Sequence, residues 1–156
     1  MKLFTIQDSK EKKLLRSKLK PFSFKDYSEK EIRDLIKEMR ALMRKESGIG
    51  LAANQAGLDM RVFVAAAEGN AYAIFNPKIT KTSGERILME EGCLSIPGSS
   101  GLINRYEKVT LEGFNSSGKK IKIKAFGLLA QIFQHETDHL DGILYTDKAE
   151  KTFKNE

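Results

Sequence analysis

Both histidines of this 156-residue chain stand four positions apart, in Gln134-His135-Glu136-Thr137-Asp138-His139-Leu140. On a helix that interval sets the two imidazoles on one face, one turn above the other. Glu136 then points about 100° round the helix, within reach of a water on a metal but outside the ligand set. The pattern is HExxH, which combines two metal ligands with a proton acceptor for hydrolysis. The competing reading is a polar helix surface that carries two unrelated histidines.

A catalytic divalent ion takes three protein ligands and keeps a position for water. Tyr145 occupies the place where one class of HExxH site adds a third histidine, and the downstream glutamate of another class would fall beyond the chain. The candidates left are a carboxylate or the single cysteine, Cys93, in Glu90-Glu91-Gly92-Cys93-Leu94-Ser95-Ile96-Pro97. This segment reads as extended, with Gly92 allowing a close backbone approach. A thiolate is a strong ligand for zinc or iron(II). A small core residue is the other fate of a free cysteine. With Cys93, His135 and His139 around it, an ion would activate a water near neutral pH, and Glu136 would take the proton and pass it to a leaving amine.

Three stretches together resemble the peptide deformylase family, in its order and at its approximate spacings: Gly48-Ile49-Gly50-Leu51-Ala52-Ala53-Asn54-Gln55, Glu91-Gly92-Cys93-Leu94-Ser95, and the segment Gln134 to Leu140. The likeness runs from about Pro21 to Asp147. It implies a substrate that begins with N-formylmethionine and products that are formate and a free amine. It also implies that the Gln55 side-chain amide and the Leu94 backbone N–H stabilise the developing oxyanion, and that Ile49, Gly50, Glu91 and Gly92 line the groove for an extended peptide. The metal it implies is iron(II), although zinc or nickel would suit the same ligands. Arg105 matches a family arginine that pairs with a carboxylate near the site, a surface role being the alternative. Asp138 reads either as an acceptor that orients a histidine or as a solvated helix residue. Leu128 and Ile132, one and two turns before the histidines, are candidates for the wall of a methionine pocket, with core packing as the alternative.

The chain departs from the family pattern at three places. Asn54 fills a motif position that varies. Ser99-Ser100-Gly101 stands where many members have a basic residue. The stretch from Lys148 to Glu156 leaves little of the C-terminal helix that some members use to dock on the ribosome.

The length suggests one domain, residues 1–156, with room for a sizeable core. One cysteine excludes an internal disulfide and fits a reducing compartment. Neither a signal-peptide pattern nor an apolar run near ~20 residues occurs, so a soluble cytoplasmic protein with no membrane contact is expected. The net charge is +6, with Lys10, Lys12, Lys13, Arg16, Lys18 and Lys20 near the start. That basic segment fits a solvated surface or a contact with ribosomal RNA; without interleaved aromatics it does not indicate base stacking.

The elements that must carry these residues are legible in outline. Ser28 and Glu31 form a capping box, and Ile32, Leu35, Ile36, Met39, Leu42 and Met43 follow at helical spacing, which predicts an amphipathic helix from about Glu29 to Lys45. Gly48, Gly50 and Ala53 also match a dinucleotide fingerprint, but that motif must follow a strand, and here it follows a helix. Arg61 to Ala67 and Ala71 to Phe75 read as strands around Gly69-Asn70, with Pro77 limiting continuation. Ile79, and Ile87 to Met89, read as further extended pieces. Val109 to Phe114 and Lys119 to Lys124 flank a hairpin turn at Asn115 to Gly118. Gly127 opens the HExxH helix and Gly142 ends it, with Leu128, Ile132, His135 and His139 on a stripe facing the sheet. The order predicts an α+β fold of mostly antiparallel strands packed around the C-terminal HExxH helix, with an N-terminal amphipathic helix.

Overall fold

The protein is described over residues 1–155 in a computed structural model. Its helices are α1 (Ser9–Leu15), α2 (Glu29–Lys45), α3 (Gly127–Leu140) and α4 (Tyr145–Lys148). The strands are β1 (Gly50–Ala52), β2 (Val62–Ala67), β3 (Asn70–Thr82), β4 (Arg86–Cys93), β5 (Ile96–Tyr106), β6 (Lys108–Phe114), β7 (Lys120–Phe126) and β8 (Lys151–Lys154). A five-stranded sheet runs β1-β2-β3-β6-β7 and a three-stranded one β4-β5-β8, with every pairing antiparallel. The expected α+β class is therefore found, and α3 packs between the two sheets.

Helix α2 starts where its sequence says it should. Glu31 N–H donates to Ser28 Oγ and Ser28 N–H to Glu31 Oε1, so two backbone donors without helical partners are satisfied. Ile32, Ile36, Met39, Leu42 and Met43 are buried, and with Leu129, Ala130 and Phe133 of α3 they close over the inner face of the larger sheet. Apolar burial of this kind contributes roughly 1.5–3 kcal/mol per large side chain, an upper estimate. In β7 the lysines at 120, 122 and 124 are exposed while Ile121 and Ile123 are half-buried, which gives the dry and wet faces that alternation predicts.

Two expectations need correction. Pro77 does not end its strand: β3 continues to Thr82, and Pro77 falls where the register with β6 shifts between Phe75 and Lys78, so the ladder does not need the missing N–H. The stripe on α3 does not face the larger sheet as a unit. Ile132 of the stripe is buried in the core with Leu129, Ala130, Phe133 and Leu140, while Leu128 is 46% exposed. The C-terminal stretch forms a strand, β8, paired with Ser99 to Leu102 of β5. Helix α1 had no counterpart in the sequence reading. A smaller apolar cluster of Ile96, Ile103, Leu144 and Tyr145 joins the second sheet to the end of the chain. No described helix is long and apolar enough to cross a membrane.

Candidate active site and metal centre

Helix α3 brings His135 and His139 one turn apart, with their Nε2 atoms separated by 3.2 Å. Cys93 ends β4, which delivers its Sγ to 3.3 Å from His139 Nε2. One donor atom from each of the three lies within 4.8 Å of the others. An ion with bonds of about 2.3 Å to sulfur and 2.0–2.1 Å to nitrogen spaces its donors by roughly 3.3–3.6 Å in a tetrahedron, so the cluster fits such an ion.

A buried ion-pair network stands behind this cluster. His135 Nδ1 lies 2.7 Å from Glu91 Oε1, and a proton donated along that line leaves the Nε2 lone pair facing the cluster. Arg105 grips Glu91 at both oxygens, Nε to Oε2 at 2.8 Å and Nη2 to Oε1 at 2.9 Å, and its Nη1 donates to Asp138 at 2.6 Å. Lys148 Nζ completes the chain on Asp138 at 3.0 Å. Burial alone would push Glu91 toward the neutral acid. The Arg105 and His135 contacts outweigh it and bring the carboxyl to about 2. Burial likewise opposes charge on His135, yet Cys93, Glu91 and Glu136 around it favour a cation at that point, a condition that suits a proton or a metal. Burial, then the neighbouring His135 and Arg105, hold His139 neutral.

Two readings of these residues are thereby revised. Arg105 is buried in a carboxylate pair, so the surface alternative falls. Asp138 touches Arg105 and Lys148 but neither histidine; the acceptor on His135 is Glu91. Glu91 borders the cavity as expected of a groove residue, but its carboxylate is engaged by Arg105 and His135.

Glu136 is buried beside the cluster, with Oε2 3.9 Å from His135 Nε2 and with Oε1 lacking any hydrogen-bond partner. Burial raises its carboxyl to about 7, partly offset by His135. Gly50 makes room for it: a Cβ at position 50 would stand 2.6 Å from Glu136 Oε2. Gln55 is oriented at both ends of its amide, Oε1 accepting from Ala52 N–H at 2.9 Å and Nε2 donating to Ser95 Oγ at 3.1 Å, with Cys93 Sγ 3.6 Å from Nε2.

These groups open onto a cavity of ≈ 630 Å³, within the range of small-ligand sites. Cys93, His135, Glu136 and Gln55 lie on its wall together with Ile49, Gly50, Gly92 and Leu94. Leu128 and Ile132 face it too, and Ile49 at 51% exposure and Leu128 at 46% leave apolar surface unpaired at its mouth. The far end is bordered by Ser99, Ser100 and Asn155, where Ser100 Oγ donates to Asn155 Oδ1 at 3.0 Å. The six basic residues near the N-terminus are exposed and take no part in the cavity.

Sequence reasoning missed several contributors. Asn54, read only as a motif position that varies, is fully buried and donates through Nδ2 to His139 O at 2.7 Å. Its place in an otherwise apolar run was the available signal, since a buried amide needs partners. Gln131 reaches Glu90 O at 3.0 Å and Glu91, and Asn155 borders the cavity only because β8 forms, which no local pattern announced.

Comparison with known proteins agrees with this geometry. The family model for polypeptide deformylase matches residues 3–155. A peptide deformylase of Halothermothrix orenii is 46% identical over 137 residues, covering 86% of either chain. Among solved structures, an actinonin complex of a Synechococcus elongatus peptide deformylase superposes with a TM-score of 0.87 at 36% identity, covering 97% of this chain and 79% of that one. A Met-Ala-Ser-bound class I type b peptide deformylase of Acinetobacter baumannii superposes with a TM-score of 0.87 at 30% identity, covering 95% and 98%. By sequence match and by fold, the chain belongs to the polypeptide deformylase family, metallohydrolases that remove the N-formyl group from newly made polypeptides.

Proposed function

We propose that this chain performs the deformylase reaction as one catalytic domain, with Cys93, His135 and His139 as metal ligands, Glu136 as proton carrier, and Gln55 and Leu94 as oxyanion donors. The observation that carries the reading is the convergence of one sulfur and two imidazole donors beside a buried carboxylate, with Cys93, His135 and Glu136 on the wall of a single cavity and His139 buried behind them. A divalent ion held by that set supplies Lewis acidity and an activated water. Glu136, with Oε2 3.9 Å from His135 Nε2, accepts the water's proton and returns it to the departing amine. The Gln55 Nε2–H and the Leu94 N–H receive the oxygen of the formyl carbonyl as it becomes negative. Ile49, Gly50 and Gly92 carry the extended peptide, and the apolar surfaces of Leu128 and Ile132 hold the methionine side chain. Glu91 supports the site through His135.

The metal we assign is iron(II), which one thiolate and two imidazoles suit as they do zinc and nickel. A thiolate ligand also calls for a reducing compartment, which favours the cytoplasm. The substrate is an N-formylmethionyl chain; the exposed lysines near the N-terminus suit solvent as well as ribosomal RNA, and the chemistry requires neither. The test is metal analysis of anaerobically purified protein alongside formate release from a formyl-Met peptide. About one ion per chain and formate release are expected, and Cys93→Ala should lose the ion while the fold persists. Full metal occupancy in Cys93→Ala would remove the ligand set.

A further inference from the structure

We infer that Ser95 is a positioning residue for the reaction: its hydroxyl, polarised by the Phe4 carbonyl, acts with the Ala52 N–H at the other end to hold the Gln55 amide with its Nε2 toward the reacting centre. The inference rests on the reading of Gln55 as an oxyanion donor and deepens it.

A glutamine amide presents either two N–H donors or a carbonyl acceptor to a cavity, and rotation about its last torsion exchanges them at little steric cost. At an oxyanion site the wrong sense is worse than neutral, because a carbonyl oxygen repels the developing charge. The surroundings of Gln55 decide the sense without ambiguity. Ala52 N–H can only donate, so the atom 2.9 Å from it must be Oε1. On the other side Ser95 Oγ is ambivalent in isolation, since a hydroxyl both donates and accepts. It lies 2.6 Å from Phe4 O, which can only accept. The single hydroxyl proton therefore goes to Phe4, and the oxygen that remains can only accept from Gln55 Nε2, 3.1 Å away. One Nε2 hydrogen is consumed by Ser95, and the second is left on the side of Cys93 Sγ, 3.6 Å from Nε2.

The N-terminal segment is built to hold that carbonyl in place. Phe4 N–H donates to Gln55 O at 2.7 Å and Ile6 N–H to Ser95 O at 3.0 Å, so the segment joins both residues by backbone as well as by the hydroxyl. The Phe4 ring lies over Gly57, where a Cβ would come within 2.9 Å of it. Thr5 N–H donates to the buried carboxylate of Glu11 at 3.0 Å, tying the segment to α1. Ser95 itself is fully buried, out of reach of substrate, so its contribution passes through Gln55.

The experiment compares Ser95→Ala, Gln55→Ala and the double variant on a formyl-Met peptide, with metal content measured in each. Ser95→Ala should keep its metal and its KM within about twofold while kcat falls about 10- to 100-fold, short of the roughly 10²–10³ that outright loss of an oxyanion donor costs. In the Gln55→Ala background the same substitution should change kcat no further. An equal loss in both backgrounds would make Ser95 merely structural and overturn the inference. An undiminished kcat in Gln55→Ala would instead remove the donor role of Gln55, and the inference with it. A second measurement does not depend on the variants folding. In the zinc-loaded wild type, the Gln55 side-chain NH₂ protons should exchange with solvent at least tenfold more slowly than those of exposed Gln7. Exchange as fast as that of Gln7 would show that no fixed acceptor holds the amide, and would sink the proposal.

Discussion

A carboxylate with one oxygen unpartnered inside a protein is held there against its solvation, and Glu136 is in that position. Its usefulness depends on where Oε2 points, and the absence of a side chain at position 50 sets that direction. Gly50→Ala should displace the carboxylate because a Cβ would stand 2.6 Å from Oε2 and the facing backbone is β1. The expected result is a fall in kcat comparable to that of Glu136→Gln, about 10² to 10⁴, with metal content unchanged in both. Steady-state kinetics with metal analysis checks this. Gly50→Ala retaining near-normal kcat would mean that the glycine serves only the peptide. The residue types that bear the chemistry were legible because they are scarce here: two histidines at helical spacing and one cysteine leave few arrangements. The support of Glu91 for His135 was not. Carboxylates are plentiful in this chain, and nothing local says that Glu91, 44 residues from His135 in sequence, turns toward that imidazole while Asp138, three residues away, does not.

Among elements, α3 ends at a glycine for two reasons that reinforce each other. Gly142 has φ +75°, a conformation that costs other L-residues about 1–2 kcal/mol, and a Cβ there would stand 2.4 Å from Arg16 O, a backbone atom just past α1. The stop signal was readable from sequence; the contact with α1 was not, because α1 itself carried no recognised pattern. Gly142→Ala should destabilise the protein by more than the conformational cost alone, seen as a lower Tm and an earlier denaturation midpoint. A loss within about 0.5 kcal/mol, typical of an ordinary surface change, would show that the junction of α1 and α3 adapts freely. The stripe on α3 was misread for a related reason. Leu128 and Ile132 share spacing with the histidines, but spacing specifies a face and not what covers it: Ile132 is buried in the core, whereas Leu128 stays 46% exposed.

Across the whole molecule the chain's two ends meet. Arg16, just past α1, pairs with Asp147 of α4, 131 residues away, and the same carboxylate oxygen accepts from Leu144 N–H at 3.0 Å. Such closure between distant segments, like the pairing of β8 with β5, leaves no local periodicity in sequence, which is why neither was foreseen. The pairing predicts a pH dependence of stability. Partial burial works against the Asp147 charge, but the Arg16 contact and the Leu144 amide outweigh it and hold its carboxyl below the ordinary 3.8. A group whose pKa is lower folded than unfolded stabilises the fold fully above the unfolded value and loses that contribution as pH falls through the folded one. Both side chains are more than a third exposed, so the effect is small and screened by salt. Asp147→Asn keeps the shape but cannot carry the charge. Its denaturation midpoint should lie below wild type at pH 7, and the gap should shrink steadily as pH drops below 3.8. A gap of constant size across that range would assign the loss to packing around Leu144, with the Arg16 charge pair contributing nothing.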